Sequence, residues 1–512
     1  MTLPVSELAR SVGANSFARR LGVATDKANK FAPTLLLALA LSGCAIGPDY
    51  QRPELNTPAA FKQAAGWKAA EPADALARGA WWELYGDATL NGLQQRLQQS
   101  NQSLAQSLAQ YREAQALVRG TRAAFFPSLG ANAGKTRSGQ GGGSSTVRLA
   151  DGSTVTSSGS GGVSKSYDLT FGVNWELDLW GKLRRQLEAD SASLSASAAD
   201  LAAVRLSLQS ELAQNYLQLR VLDEQQRLLD ATVAAYARSL KLTENQYQAG
   251  IVPKSDVTQA RTQLKSTEAQ AIDLKYQRAQ LEHAIAVLIG VPPSEFALAA
   301  VDGVPMLPEV PVSVPSQLLE RRPDVASAER AVMSANAEIG VAKAAYFPSL
   351  SLSAAGGYRS GTLDQWLSTP NRFWSIGPEF AMTLFDAGLI RSQVDQAEAR
   401  YDQTVAGYRQ TVLDSFREVE DYLVQLRVLA EESGVQQEAL DAARESLRLV
   451  ENQYKAGTID YNSVVSVQTA ALSNERTQLN LLGSRLTASV QLIAALGGGW
   501  QGVAVVQSAG RD

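Results

Sequence analysis

The sequence predicts a mostly helical chain with a small membrane β part, organised as two internal repeats, each of long coiled-coil helices plus two strands. Three observations predict it. The chain matches itself at an offset of 207: Ser239 to Gly250 reads SLKLTENQYQAG and Ser446 to Gly457 reads SLRLVENQYKAG, with nine of twelve positions identical. Two stretches, Lys182 to Tyr247 and Leu389 to Tyr454, keep a helical apolar period for 66 residues without a proline. Four shorter segments alternate apolar and polar side chains, the period-2 signature of a strand with one apolar face.

Composition removes whole classes of chemistry. The 512 residues hold one Cys (Cys44), one His (His283), and 47 basic against 51 acidic side chains, a net charge of -4. A structural zinc site needs four Cys/His ligands, and a Ser or Cys nucleophile wants a His base, so two such residues cannot build most hydrolase or metal centres; carboxylate-only chemistry survives, and no metal, cofactor or catalytic residue is assigned. His283 lies in LEHAIAVL and reads as a packed or interfacial helix residue. No paired carboxylates mark a pocket, so an enzyme is not indicated. The near-neutral charge gives no reason to expect nucleic acid.

The amino terminus reads as a targeting segment. Residues 31–43, FAPTLLLALALSG, follow Lys27 and Lys30 and end at Cys44. That run is too short to span and stay, and Leu41-Ser42-Gly43-Cys44 resembles the bacterial lipobox, in which the Cys is acylated and becomes the first mature residue. Residues 1–43 are therefore expected to be a lipoprotein signal peptide, and 44–87 a lipidated extended segment. No later segment reaches 18 consecutive apolar residues.

The repeat sets the remaining boundaries. The 207 offset also pairs Gly181 with Gly388, Leu219-Arg220 with Leu426-Arg427, and Gly290 with Gly497. Upstream, AAFFPSL (123–129) matches AAYFPSL (344–350) at offset 221. The first copy thus carries 14 extra residues, which fall in the Gly/Ser/Thr-rich stretch Ser138 to Gly162, expected to be an exposed loop. The copies run over 88–290 and 316–497. Between them residues 291–315 hold six of the 18 prolines and read as an extended linker, and 498–512 form a tail.

Each copy reads as long helix, two strands, long helix, long helix. From Tyr167 to Leu179, Tyr167, Leu169, Phe171, Val173, Trp175, Leu177 and Leu179 share one face, with Asp168, Thr170, Gly172, Asn174, Glu176 and Asp178 on the other. Trp374, Ile376, Pro378, Phe380, Met382 and Leu384 alternate with Ser375, Gly377, Glu379 and Thr383. Leu350, Leu352 and Ala354, and Leu129, Ala131 and Ala133, complete the set. Each is long enough for a membrane barrel, which needs about 9–11 residues per strand. Four strands cannot close one, since small membrane barrels have about eight, so the barrel must be shared between chains.

The two proline-free helices would each be roughly 100 Å long at about 1.5 Å per residue. Leu187, Leu194, Leu201 and Leu208 lie seven apart, and later apolar residues follow 3-4 spacing, the pattern of a coiled coil. Gly250 and Gly457 end these helices as C′ glycines, and new helices return near Lys254 and Asn462.

These residues resemble the TolC-like outer-membrane efflux factors, in particular their NodT-type lipoprotein branch. The resemblance rests on Gly47-Pro48-Asp49-Tyr50-Gln51-Arg52-Pro53, Trp81-Trp82-Glu83-Leu84-Tyr85-Gly86-Asp87, Leu319-Glu320-Arg321-Arg322-Pro323-Asp324, both FPSL segments and Leu384-Phe385-Asp386-Ala387-Gly388. It implies a homotrimer whose twelve strands close one β-barrel in outer-membrane lipid, with the helices forming a periplasmic α-helical tunnel. It also implies two partners, a periplasmic adaptor and an inner-membrane pump of the RND type.

The resemblance further implies that the helix tips, Ala249-Gly250-Ile251 and Ala456-Gly457-Thr458, receive the adaptor, and that Tyr454 hydrogen-bonds toward Asp256 to hold the channel shut. Helix-end packing is the other reading of Tyr454, and an exposed first-turn carboxylate that of Asp256. Many relatives place a carboxylate nine residues after the second tip Gly and a basic residue two after it; this chain has Ser466 and Ile459 there. Two other classes share part of the pattern. A type I protein secretion duct has the same fold but usually lacks the lipobox and RRPD, and a lipid-anchored coiled-coil adhesin or scaffold leaves the strand pairs unexplained.

Overall fold

The computed structural model describes residues 45–55, 58, 60–63, 80–149, 152–159, 162–308 and 321–498. The signal peptide 1–43, Cys44 and most of the tail lie outside them. The chain divides into two compact units, and each draws on both repeats. One holds the described residues up to Pro48 with 122–186 and 339–394; the other holds 49–121, 187–338 and the described residues from 395 onward. The repeats are therefore units of sequence, and each contributes to both bodies.

The first unit is built on a four-stranded antiparallel sheet in the order β1 (Ser128–Gln140), β4 (Gly162–Leu177), β5 (Ser349–Ser360), β6 (Arg372–Ala381). Its register collects the alternating side chains into faces. Leu129, Val173, Ala354 and Ile376 lie opposite one another across the four strands, as do Ala131, Phe171, Gly356 and Trp374. On the reverse face the rows are Ser128, Asn174, Ser353, Gly377 and Asn132, Thr170, Gly357, Phe373. Arg359 Nε donates to Asp168 Oδ1 across that polar face at 2.7 Å. The apolar face is bare: Phe171 is 51% and Trp374 76% exposed. β6 ends at Ala381, so Met382 and Leu384 lie just beyond the sheet.

The Gly/Ser/Thr-rich stretch is mostly strand, not the loop expected. β1 continues to Gln140, and β2 (Gly143–Arg148) pairs with β3 (Thr154–Gly159) as a two-stranded ribbon. Thr146 lies opposite Thr156 and Val147 opposite Val155, and β-branched pairs of this kind favour an extended ladder even without a core beneath it. The two threonine hydroxyls stand 3.2 Å apart.

The helices of the second unit are α1 (Ala88–Ser100), α2 (Gln102–Ala123), α3 (Lys182–Gln248), α4 (Lys254–Leu288), α5 (Pro323–Ala344), α6 (Leu389–Lys455) and α7 (Tyr461–Ala495). The first turn of α3, the last turn of α5 and the first of α6 fall in the sheet unit. At 67 residues each, α3 and α6 end within one residue of the expected helices. No described helix is long and apolar enough to cross a membrane. The main core joins Leu90, Leu93 and Leu97 of α1 to Leu212–Val221 of α3, Ile285–Ile289, Val419–Leu426 of α6 and Leu486–Ala495 of α7. Trp81, Trp82 and Tyr85 of the WWELYGD motif are buried in it, and Tyr85 shares a 2.7 Å hydrogen bond with Ser489. Asp87 then caps α1 through Leu90 N–H and accepts from Tyr216 and Arg220.

RRPD has a matching role. Arg322 forks onto Asp324 (3.0 and 2.7 Å), reaches Glu418 of α6 (2.7 Å), and donates to Ala495 O (3.2 Å) at the end of α7. The described part of the linker makes one 3-10 turn at Pro293–Glu295, is otherwise free of helix and strand, and is held by one buried and one half-buried arginine. Arg220 donates to the carbonyls of Asp302 and Gly303, and Arg278 to that of Leu298.

Candidate functional site

The two hairpin tips, α3–α4 and α6–α7, are near copies. At the first, Gly250 N–H donates to Tyr247 O and Ile251 N–H to Gln246 O, both at 2.9 Å. At the second, Gly457 N–H donates to Tyr454 O and Thr458 N–H to Gln453 O, at 2.9 and 3.1 Å. This pair of bonds is the Schellman motif, which satisfies the last carbonyls of a helix and needs a left-handed residue at C′. Gly250 (φ +72°) and Gly457 (φ +75°) supply it, and no heavy atom lies within 4 Å of where a Cβ would stand on either. Ala249, Gly250, Ile251, Ala456, Gly457 and Thr458 are all exposed. The tips therefore present bare backbone and small or apolar side chains to whatever approaches.

The tips differ in how the next helix starts. Pro253 precedes α4 without a side-chain cap, whereas its repeat equivalent Asp460 caps α7 by accepting from Ser463 N–H (3.0 Å) and Ser463 Oγ–H (2.6 Å). Those bonds hold the Asp460 carboxyl below its ordinary range. Lys254 in the first copy becomes Tyr461 in the second, and this exchange decides the fate of the equivalent tyrosines. Tyr247 is exposed, whereas Tyr454 is buried, its ring edge-on to Tyr461 with centroids 5.4 Å apart. Ala260 and Val464 join them, with Leu240, Val450, Ile459 and Val465 around the edge.

The expected hydrogen bond from Tyr454 to Asp256 is corrected here. The Tyr454 hydroxyl donates to Gln246 Oε1 at 2.8 Å, and its single proton is spent there. Gln246 lies on the last turn of α3, beside the end of α6, whereas Asp256 opens α4 and accepts from its neighbour Ser255. Asp256 acts on Tyr454 by charge: burial first, and then that carboxylate, hold the phenol above its usual pKa. Ser466 is exposed and Ile459 half-buried.

A polar seam links the returning helices, which sequence periodicity did not reveal because it lies across, not along, each helix. Gln259 donates to Asn462 (2.8 Å), Gln263 to Thr469 (3.2 Å), and Arg476 to Gln270 (2.8 Å), so α4 and α7 run side by side in the same direction. Gln263, Gln270, Thr469, Arg476 and Asn480 line a cavity of about 370 Å³ between them. Among the described residues no group of three His, Cys, Asp or Glu could hold a metal, and His283 is exposed on α4.

A family model described as outer membrane efflux protein matches residues 93–291 and 314–498. The chain belongs to the outer membrane efflux protein family. Its two matched segments coincide closely with the two sequence repeats. This outer membrane efflux protein is 30% identical over 469 residues to the cation efflux system protein CusC of Escherichia coli O6:H1, covering 91% of this chain and 98% of that one. It is 31% identical over 465 residues to the solvent efflux pump outer membrane protein SrpC of Pseudomonas putida, covering 90% and 97%. Among solved structures it superposes on the outer-membrane channel OprN with a TM-score of 0.79 at 30% identity, over 90% of this chain and all of that one.

Proposed function

We propose that this chain is the exit duct of a tripartite efflux system in the outer membrane of a Gram-negative bacterium. It passively conducts small molecules delivered by an RND-type inner-membrane pump and a periplasmic adaptor. One observation carries the reading: a four-stranded sheet with a bare apolar face, a polar reverse face, and two outer strands, β1 and β6, each with one neighbour. Alone such a sheet has two open edges, which a membrane does not tolerate. Three copies joined β6 to β1 give twelve strands and no edge, with Asn174, Ser353 and Thr170 toward a wet lumen and Phe171, Trp374 and Ile376 toward lipid. The α-helices then extend into the periplasm as a tunnel.

Further features support this assembly. A lumen lined by Asn, Ser and Thr stays wet and binds nothing tightly, so in this reading the pump and adaptor choose the cargo. Acylated Cys44 anchors the chain in the membrane. The bare-backbone tips at Gly250 and Gly457 receive the adaptor's own helix ends, where the absence of a Cβ allows close approach. Tyr454, with Gln246 and Asp256 beside it, belongs to the periplasmic gate. Deleting the gene in its host should raise sensitivity to exported compounds, and purified protein should form stable trimers that open pores in planar bilayers. A monomer that never conducts would refute the assignment.

A further inference from the structure

The copies differ at one turn in a way the repeat does not require. Gly388 and its equivalent Gly181 both take a positive φ (+95° and +80°) between a strand and a long helix. Around Gly388 the space for a Cβ is open, whereas at Gly181 a Cβ would stand 2.8 Å from Ala45 Cα. The amino-terminal segment from Ala45 to Gly47 covers the first copy's turn and leaves the second open. Ile46 N–H donates to Trp180 O at 3.1 Å, and Arg185 donates to the carbonyls of Ile46 (3.2 Å) and Gly47 (3.3 Å). Helix α5 makes room for it: Gly340, where the first copy has Arg119, lies against Gly47, and a Cβ there would stand 2.7 Å from Ile46 O. A glycine inside a helix is unfavourable, and this crossing accounts for it.

The two residues flanking Gly181 open onto a groove. Leu179, Trp180, Lys182, Phe347, Pro348 and Met382 line it, with a volume of about 350 Å³. The Trp180 indole is fixed by its N–H on Pro348 O (2.7 Å) and by the Phe347 ring 5.2 Å away. Leu177, Leu179, Phe347 and Met382 give it apolar walls, Glu176, Asp178, Ser349 and Thr383 also line it, and Lys182 pairs with Glu176 at 3.3 Å. Ala45, the residue that follows Cys44 in the chain, is itself seated on Gly181. We propose that this groove seats an acyl chain carried by Cys44. The bound chain fixes the start of the mature protein at the sheet's base and makes the anchor part of the fold. The proposal rests on the reading that Cys44 is acylated.

The test uses the full-length protein expressed in cells fed a diazirine fatty acid, irradiated in isolated outer membranes and digested for mass spectrometry. The expected result is a lipid-modified Cys44 peptide joined to peptides containing Trp180, Phe347 or Met382. In a Met382→Gln variant, which puts an amide in the groove, those cross-links should be lost while the lipid mass on Cys44 is unchanged. An unmodified Cys44 would overturn the anchor and the seat together. A lipidated Cys44 whose cross-links reach only phospholipid or other parts of the protein would overturn the seat and leave the anchor standing. Groove peptides joined to phospholipid and never to Cys44 would make this a free-lipid site and overturn the proposal as well.

Discussion

Gly497 lies so close to the carbonyl of Arg321 that no Cβ fits between them, and Gly290 stands in the same relation to Ser100. The pairs are repeat equivalents, although one partner matches at offset 207 and the other at 221. Beside them Asn101 donates to Leu288 O (2.8 Å) where Arg322 donates to Ala495 O. Each copy thus locks the end of its returning helix onto the start of its entering helix by the same crossing. Gly290→Ala and Gly497→Ala meet both a positive φ and a backbone clash, which together cost about 2–4 kcal/mol. Gly250→Ala meets the φ alone and should cost about 1 kcal/mol. Thermal midpoints of the purified variants rank the three, and equal losses would show that the crossing adds nothing.

Arg322 serves four bonds from one guanidinium, so its geometry matters as much as its charge. Arg322→Lys keeps the cation but cannot fork onto Asp324 while reaching Glu418 and Ala495 O. Both carboxylates are more than a third exposed and rehydrate when released, which limits the loss to about 1–3 kcal/mol. Urea unfolding should place Arg322→Lys close to Arg322→Ala; full rescue by Lys would reduce RRPD to a simple charge requirement.

The sheet register makes the two faces separable by mutation. Phe171→Arg places a charge on the apolar face and should cost roughly 2–4 kcal/mol per chain near the bilayer midplane. Asn174→Arg, on the opposite face, should be tolerated. The check is the yield of heat-resistant trimers on gels, and comparable damage from both would mean that the inside and outside are reversed.

Much of this architecture was legible because periodicity and the repeat are one-dimensional signals. Helices α3 and α6, the alternating strands and the tip glycines follow directly from spacing. The ribbon of β2 and β3 did not, because Gly- and Ser-rich composition outweighed the Thr and Val pairs that meet only across the hairpin. The Tyr454 partner was also hidden. Gln246 is distant in sequence and chemically unremarkable, and only the approach of the ends of α3 and α6 selects it over Asp256. The burial of Tyr454 depends likewise on Tyr461 replacing Lys254 at the start of the next helix.

Asp460 makes the second tip sensitive to acid. Its folded pKa lies below the ordinary carboxylate value because Ser463 donates twice to the ionised form. The stabilisation is therefore complete above the unfolded carboxylate pKa and is lost as pH falls through the lower folded value. Hydrogen exchange at the start of α7 should accelerate in acid relative to the start of α4, where Pro253 provides no titrating cap. Asp460→Asn keeps an N-cap acceptor and should remove most of that pH dependence. An unaltered acid response in this variant would assign the effect to another group.

The gate carries the last prediction. Tyr454 is buried against Tyr461 and holds the end of α3 through Gln246, so the phenol joins the two hairpins of one chain by a neutral hydrogen bond worth about 1 kcal/mol. In the proposed trimer three copies sum to about 3 kcal/mol, enough to favour a closed mouth by roughly a hundredfold yet within reach of adaptor contacts at the tips. Ser466 and Ile459 carry no charge, so in this reading they leave more of that closure to this contact. Tyr454→Phe with Gln246→Ala removes both partners while keeping the packed ring, and should raise single-channel conductance in planar bilayers. Asp256→Ala, which removes only a nearby charge, should change it less. Gly457→Trp should abolish adaptor binding with conductance unchanged, separating docking from closure. If the double variant conducts like the parent, Tyr454 is a packing residue at a helix end and the gate lies elsewhere.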